Sequence, residues 1–211
     1  MSMTLYLVRH AQSLPRKGQP CSEWPLSPTG VRQAEQLAEL LGPLAIVEVL
    51  SSPFIRSLQT AEPSARKNGL QIGVVNDLRE RTAACPGGLP SDEEWYRSWE
   101  DFNFALPGCE TSLTAQVRIY RAICQISHSA KGTSAVFTHG NVLGLFLNAV
   151  SRGAGRREAE ELRNPDVLKI EWSQGTFTWD NTFHLTGLEH IATEHGQTPR
   201  EQDTLVPRDL H

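Results

Sequence analysis

Two histidines, two arginines and one glutamate stand where short apolar runs give out. Leu5-Tyr6-Leu7-Val8 ends in Arg9-His10-Ala11, and Ala135-Val136-Phe137-Thr138 ends in His139-Gly140-Asn141. Between them, residues 46–50 lead through Ser51-Ser52-Pro53 to Arg56, and residues 70–75 lead through Asn76-Asp77-Leu78-Arg79 to Glu80. In an open α/β sheet the ligand crevice lies beyond the carboxyl ends of the strands. If the runs are parallel strands, Arg9, His10, Arg56, Glu80, His139 and Gly140 converge on one pocket.

Such a pocket suits a dianion. A guanidinium offers a planar fork to phosphate oxygens, and the N–H groups at a helix start add donors. A neutral imidazole among them can attack phosphorus, which divides one hard displacement into two easier ones. Nearby arginines are expected to lower the imidazole pKa and keep it nucleophilic. The leaving alkoxide needs a proton, and Glu80 is the acid that the strand-end order places nearby. Its carboxyl would need a raised pKa for that task. Charge on the equatorial oxygens would be met by Arg9, Arg56 and His139.

The elements that must hold these residues alternate strand and helix. Residues 4–8, 46–50, 70–75 and 133–138 read as strands. Residues 30–41 place Val31, Ala34, Leu37, Ala38 and Leu41 at helical spacing, after capping hydroxyls in Ser27-Pro28-Thr29 and before Gly42-Pro43. A helix follows Pro53 through Arg56, Thr60 and Ala61. Ser112–Ser129 reads as a helix with Leu113, Val117, Tyr120, Ile123, Cys124 and Ser127 on one face. Residues 141–150 form another helix. Residues 167–172 and 176–179, joined around Gly175, read as a hairpin. Residues 81–110 break the rhythm with Pro, Gly, acids and aromatics, and one helix is expected near 92–102. That stretch reads as an insertion over the sheet edge, and the chain from about 192 as a loose tail. The expected fold is a single three-layer α/β/α sandwich with a mostly parallel central sheet spanning residues 1–211.

Composition narrows the function. At 211 residues the chain can bury one large core, and its net charge of −4 speaks against nucleic acid as partner. No apolar run approaches membrane-spanning length and no targeting segment is visible, so a cytoplasmic protein away from membranes is expected. Cys21, Cys85, Cys109 and Cys124 are scattered without zinc spacing, and read most simply as four free thiols. His184, His190 and His195 lack the spacing of a helical metal pair, so no metal is expected.

At this point the sequence resembles a known family. Leu7-Val8-Arg9-His10-Ala11 resembles the R-H-G signature of the histidine phosphatase superfamily, the phosphoglycerate-mutase-like proteins. Pro25-Leu26-Ser27-Pro28-Thr29-Gly30 is similar to the segment leading into that family's first helix. Ser51-Ser52-Pro53-Phe54-Ile55-Arg56-Ser57-Leu58-Gln59-Thr60-Ala61 resembles its second arginine motif. Leu78-Arg79-Glu80 resembles its acid motif, Pro107-Gly108-Cys109-Glu110-Thr111 its P-G-G-E-S turn, and Thr138-His139-Gly140 its second histidine. The resemblance spans roughly residues 4 to 185. It implies His10 as nucleophile, Arg9, Arg56 and His139 as holders of the phosphoryl group, Glu80 as proton donor, and neither metal nor cofactor.

The chain departs from the pattern at three places. Ala11 stands for the glycine of R-H-G. Arg16 stands where an asparagine touching phosphate is common, and is expected either to take over that contact or to bind a second anionic group. Arg81-Thr82-Ala83-Ala84-Cys85-Pro86-Gly87-Gly88 replaces the G-x-W-E-G stretch after the acid. Bland readings compete at several positions. Glu80 is flanked by Arg79 and Arg81, where a surface ion pair is an ordinary role. Gln12 and Asn141 either donate to phosphate or cap the backbone. Trp95, Tyr96, Trp99, Phe102 and Phe104 read as packing for the insertion rather than a substrate wall, and the acids around them as a solvated helix face. The expected function is a metal-independent phosphomonoesterase for a small phosphorylated metabolite. The alternatives are a cofactor-dependent phosphoglycerate mutase and a non-catalytic module binding phospho-ligands. A homodimer through the hairpin edge is the assembly the sequence suggests.

Overall fold

Alternating burial along the strands sets the layers. A computed structural model describes residues 2–81 and 91–192; the expected tail and the first part of the insertion lie outside the described residues. In β1 (Ser2–Arg9), Leu5 and Leu7 point into one apolar cluster and Tyr6 and Val8 into another. In β4 (Ser134–Thr138), Val136 joins the first cluster and Ala135 and Phe137 the second. This period of two puts a core on each face of the sheet.

β2 (Glu48–Ser51), β3 (Ile72–Val74), β5 (Asp166–Ser173) and β6 (Thr176–Asp180) complete a six-stranded sheet in the order β3-β2-β4-β1-β5-β6. β3, β2, β4 and β1 run parallel, β5 runs antiparallel to β1, and β6 antiparallel to β5. The four parallel strands therefore discharge their ends on one side, with β1 and β4 adjacent at the centre.

On one face, α1 (Pro28–Leu41), α2 (Ile55–Lys67) and α7 (Leu188–Ala192) cover Tyr6, Val8, Val49 and Phe137 through Leu37, Leu41, Ala61, Ala65 and Leu188. On the other, α4 (Ser112–Ser129) and α5 (Gly140–Val150) cover Leu5, Leu7 and Val136 through Ile119, Ile123, Leu143 and Phe146. α6 (Arg156–Glu161) packs on α5, where a side chain at Gly144 would strike Ala159. The result is the three-layer α/β/α arrangement with a mostly parallel sheet.

The segment after Arg81 is described from Ser91. Its helix α3 (Asp92–Glu100) starts in a reciprocal cap between Ser91 and Glu94. Trp99 and Phe102 pack against the main core, and Trp99 closes over Gly144 and Gly155. Tyr96 stays exposed.

Several expectations change. α1 leaves Val31 exposed and buries Gln33 instead, because the Gln33 amide bonds the backbone of Gln12 and of Ile191. α4 keeps part of the expected face, with Ile123 and Ser127 buried and Tyr120 and Cys124 against the core, but Leu113 and Val117 are exposed, and Ala115, Arg118, Ile119, Ala122 and Ile126 are buried as well. Small alanines let α4 approach closely, and Arg118 is drawn inward by polar partners described below. The reading of four free thiols does not hold. Cys21 and Cys124 are not in a disulfide, Cys109 is disulfide-bonded, and Cys85 lies outside the described residues. Among the described residues no helix is long and apolar enough to cross a membrane.

Candidate active site

The loop after β1 is fixed before any side chain enters the crevice. His10 N–H donates to Thr138 O of β4 at 3.1 Å, and Ala11 N–H donates to Thr60 Oγ1 of α2 at 3.0 Å. Gly30, in the first turn of α1, lies so close to Gln12 that an added Cβ would sit 2.0 Å from its carbonyl oxygen. Only glycine permits that approach. Ser27 caps α1 at Gly30 N–H and also donates to Gln12 Oε1, so Gln12 serves this loop's scaffold.

His10 is 7% exposed, and every polar atom of its ring has a defined direction. Nδ1 lies 2.7 Å from Ala11 O, an oxygen that only accepts, so Nδ1 carries the proton. Nε2 is then a lone pair, and Arg56 Nε donates to it at 2.9 Å. Arg56 sits in the first turn of α2, reaches Cys21 O with Nη1, and lies over the Phe54 ring. Burial, then Arg56, then Arg9 push the His10 pKa well below its ordinary value. The ring is neutral at physiological pH with the nucleophilic nitrogen toward the guanidinium.

His139 precedes α5 and is fully buried. Its ring meets the His10 ring edge-on at 5.2 Å and the Phe54 ring at 5.0 Å. Nε2 shares a hydrogen bond with Ser52 Oγ at 2.8 Å, whereas Nδ1 has no hydrogen-bond partner. Burial, Arg56, His10, Arg9 and Arg118 all push its pKa well down. Arg9 extends over the start of α5, where a Cβ at Gly140 would lie 3.0 Å from the guanidinium carbon. Gly140 thus makes room for Arg9, which donates through Nη1 to Leu162 O.

Neither flanking guanidinium forms an ion pair with Glu80 among the described residues. Glu80 Oε1 accepts from Arg81 N at 2.8 Å and from Val142 N at 3.1 Å, and its Oε2 accepts from Asn141 N at 3.1 Å. The carboxylate therefore caps α5, whose own N-cap residue His139 supplies no side-chain cap. Of the helix-start N–H groups expected to add donors, those of Asn141 and Val142 are turned to Glu80 instead. The surface ion-pair reading of Glu80 fails: Arg79 pairs with Asp77 and Glu110, and Arg81 is buried against Ser98 and Ser112 hydroxyls. Arg118 anchors the segment carrying Glu80 by donating to Asp77 O and Arg79 O, and holds Glu110 through two parallel bonds at 2.8 and 2.7 Å.

Five of the expected residues, with Gly140, are thus gathered around the head of α5 and the end of β1. Arg16 is exposed in the β1–α1 loop, and none of the hydrogen bonds that tie those residues together involves it. The sequence reading missed Ser52, Thr60 and Asn164. Ser52 and Thr60 belong to the second arginine motif, so a hydroxyl beside a strand-end histidine was the available signal. Asn164 carried none.

The model of the histidine phosphatase superfamily (branch 1) matches residues 5–183. An uncharacterized phosphatase, PhoE, of Bacillus subtilis strain 168 is 25% identical over 189 residues, 86% of this chain and 96% of that protein. A Salmonella choleraesuis protein named "Probable phosphoglycerate mutase GpmB" is 26% identical over 185 residues, 82% of this chain and 86% of that protein. Among solved structures, a native mycobacterial glucosyl-3-phosphoglycerate phosphatase superposes with a TM-score of 0.73 at 20% identity, covering 85% of this chain and 98% of that one.

Proposed function

Because this chain belongs to the histidine phosphatase superfamily, we propose that it is a metal-independent phosphomonoesterase for small phosphorylated metabolites, working through a phospho-histidine at His10 Nε2. The observation that carries the reading is the Arg56 Nε to His10 Nε2 hydrogen bond at 2.9 Å. It fixes the lone pair of a neutral, buried imidazole on the nitrogen that faces a guanidinium.

In the first step Nε2 bonds to phosphorus and the P–O bond to the alcohol breaks. Arg9 and Arg56 take charge from the phosphoryl oxygens. His139 donates through Nδ1, the nitrogen without a partner, while the Ser52 hydroxyl donates to its Nε2. Glu80 gives the alkoxide its proton. Oε2, which accepts one backbone bond where Oε1 accepts two, is the oxygen with room for that exchange. In the second step water attacks phosphorus, Glu80 takes the water proton, the Nε2–P bond breaks and phosphate departs.

The test is a denaturing quench during turnover of a radiolabelled phosphomonoester, with chelator present throughout. Label on His10, lost in acid and absent from His10→Ala, is the expected result. No label, with turnover surviving in His10→Ala, overturns the reading. The similarity to GpmB supports one competitor, a phosphoglycerate mutase sharing the same intermediate. Rapid 2-phosphoglycerate formation from 3-phosphoglycerate, dependent on 2,3-bisphosphoglycerate, would favour it over release of inorganic phosphate.

A further inference from the structure

β1 and β5 pair from Ser2 with Ser173 up to Arg9 with Asp166, and the pairing stops there. The preceding residue, Pro165, has no N–H to continue the ladder. The Asn164 side chain takes over as donor: its Nδ2 lies 2.7 Å from His10 O. Since that oxygen only accepts, the atom facing it is the amide nitrogen. The same nitrogen lies 3.4 Å from His10 Nδ1. Two residues earlier, Leu162 O receives Arg9. One short segment therefore touches both members of the Arg9-His10 pair.

His10 is consequently held at four points. Thr138 takes its N–H, Asn164 its carbonyl, Ala11 its Nδ1 proton, and Arg56 meets Nε2. Among the described residues, the charged or titratable groups around the ring are Arg56 from α2, Arg9 from β1 and His139 at the head of α5, and none of the groups acting on its charge is a carboxylate. From the β5 side comes a neutral amide that presents hydrogens, not an oxygen, to the Nδ1 edge.

We propose that Asn164 is the positioning residue of the nucleophile: it fixes the His10 backbone and, by facing Nδ1 with an N–H group, disfavours the imidazolium. This rests on the reading of His10 as the attacking group. It is a claim about electrostatics as well as geometry, and a merely structural role for Asn164 would leave protonation of the ring untouched.

Asn164→Asp keeps the shape and sets a carboxylate at the Nδ1 edge. An opposite charge at this range raises a histidine pKa by about 1 to 2 units. Attack requires the neutral ring, so the acidic limb of kcat/KM moves up by that amount. On p-nitrophenyl phosphate the variant is expected to lose activity on acidification at a pH about 1 to 2 units above that at which wild type does, and to approach wild type on the alkaline side. Asn164→Ala is expected to lower kcat about tenfold with KM changed less than twofold, since the arginines that hold phosphate remain. Nitrogen-15 correlation spectra of His10 supply a readout that needs no turnover. The wild-type ring is expected as the neutral Nδ1–H tautomer, and the Asp variant is expected to form imidazolium at a pH about 1 to 2 units higher than wild type does. A wild-type ring with its proton on Nε2, or an Asp variant whose ring titrates as the wild type does, overturns the proposal. Absent phosphatase activity beside the expected spectra would instead count against the hydrolase reading alone.

Discussion

The head of α5 and the ground beneath α3 bury charge in opposite ways. Under α3, Arg118 lies against Glu110 through two parallel bonds, both side chains 8% exposed, and its remaining donors fill the carbonyls of Asp77 and Arg79. Charge there is cancelled by charge. At the head of α5, Glu80 is met by backbone N–H groups, while Arg9 and Arg56 reach carbonyl oxygens. The charges acting on His139 all disfavour its protonated form. The first arrangement fixes a position. The second maintains a positive field around two neutral rings, which is the condition an arriving phosphate dianion requires.

The sharpest way to break this contrast is at Glu80, which has two roles to separate. Glu80→Gln retains size but removes the transferable proton. Hydrolysis of alkyl phosphates is expected to slow by about 10²- to 10⁴-fold, with far less effect on p-nitrophenyl phosphate, whose leaving group needs little protonation. Steady-state rates on both substrates measure it. An equal loss on both would reduce Glu80 to a helix cap.

The charge-on-charge region should fail in stability rather than in chemistry. Arg118→Met leaves Glu110 buried with its main partner gone, and removing one member of a buried pair costs about 3 to 5 kcal/mol. Urea unfolding is expected to show that loss. If the protein still folds, KM for p-nitrophenyl phosphate should stay within about twofold, because Arg118 touches the segment before Glu80 and not the phosphate cradle. The double variant Arg118→Met, Glu110→Leu should recover much of the lost stability, as replacement of a buried pair by apolar groups often does.

Much of this division is legible in the sequence. The four strand-end motifs place Arg9, His10, Arg56, Glu80, His139 and Gly140 because a strand and its terminal residue are contiguous in the chain. Strand ends fall close to their expected positions, although β3 is only Ile72–Val74 since Leu70 N–H turns back to Ala65 O after α2. α6 was invisible because Arg-Arg-Glu-Ala-Glu-Glu has no apolar stripe; it is held by the Glu158 cap on Gly155 N–H and by Ala159 against α5. The exposure of the N-terminal part of the expected α4 face was hidden for a related reason. Leu113 and Val117 look like core residues, and only the tertiary pull of Glu110 on Arg118 reveals which face turns inward. Asn164 is distant in sequence from His10 and meets it only through the β1–β5 pairing.

The positive field also carries a cost in acid. His10 and His139 titrate well below their ordinary 6.5 when folded, so the unfolded chain binds more protons. Stability therefore falls as pH drops from about 6.5 toward the depressed folded values. One unit below 6.5, at pH 5.5, each ring is expected to account for about 1.4 kcal/mol of that loss. Urea unfolding at pH 7.5 and 5.5 should show a smaller difference for His139→Asn than for wild type, by about one ring's share. Identical differences would mean that the rings are not held neutral by the fold.

The smallest effect is expected at Arg16, which decides on which side of the comparison the β1–α1 loop belongs. Arg16 is exposed, whereas Arg9, His10, Arg56 and His139 are buried. A solvated cation at the rim acts over a screened distance of about 8 Å at physiological salt, so it contributes little to a phosphoryl group already enclosed. Arg16→Ala should leave kcat/KM for p-nitrophenyl phosphate within about twofold, in line with the small worth of exposed charge contacts. A substrate with a second anionic group, such as 3-phosphoglycerate, is expected to show KM raised about threefold to tenfold, and the difference should disappear at high salt. A loss of more than about tenfold on p-nitrophenyl phosphate would place the guanidinium in the phosphate cradle itself, and would mean that this loop closes onto the ring when substrate binds.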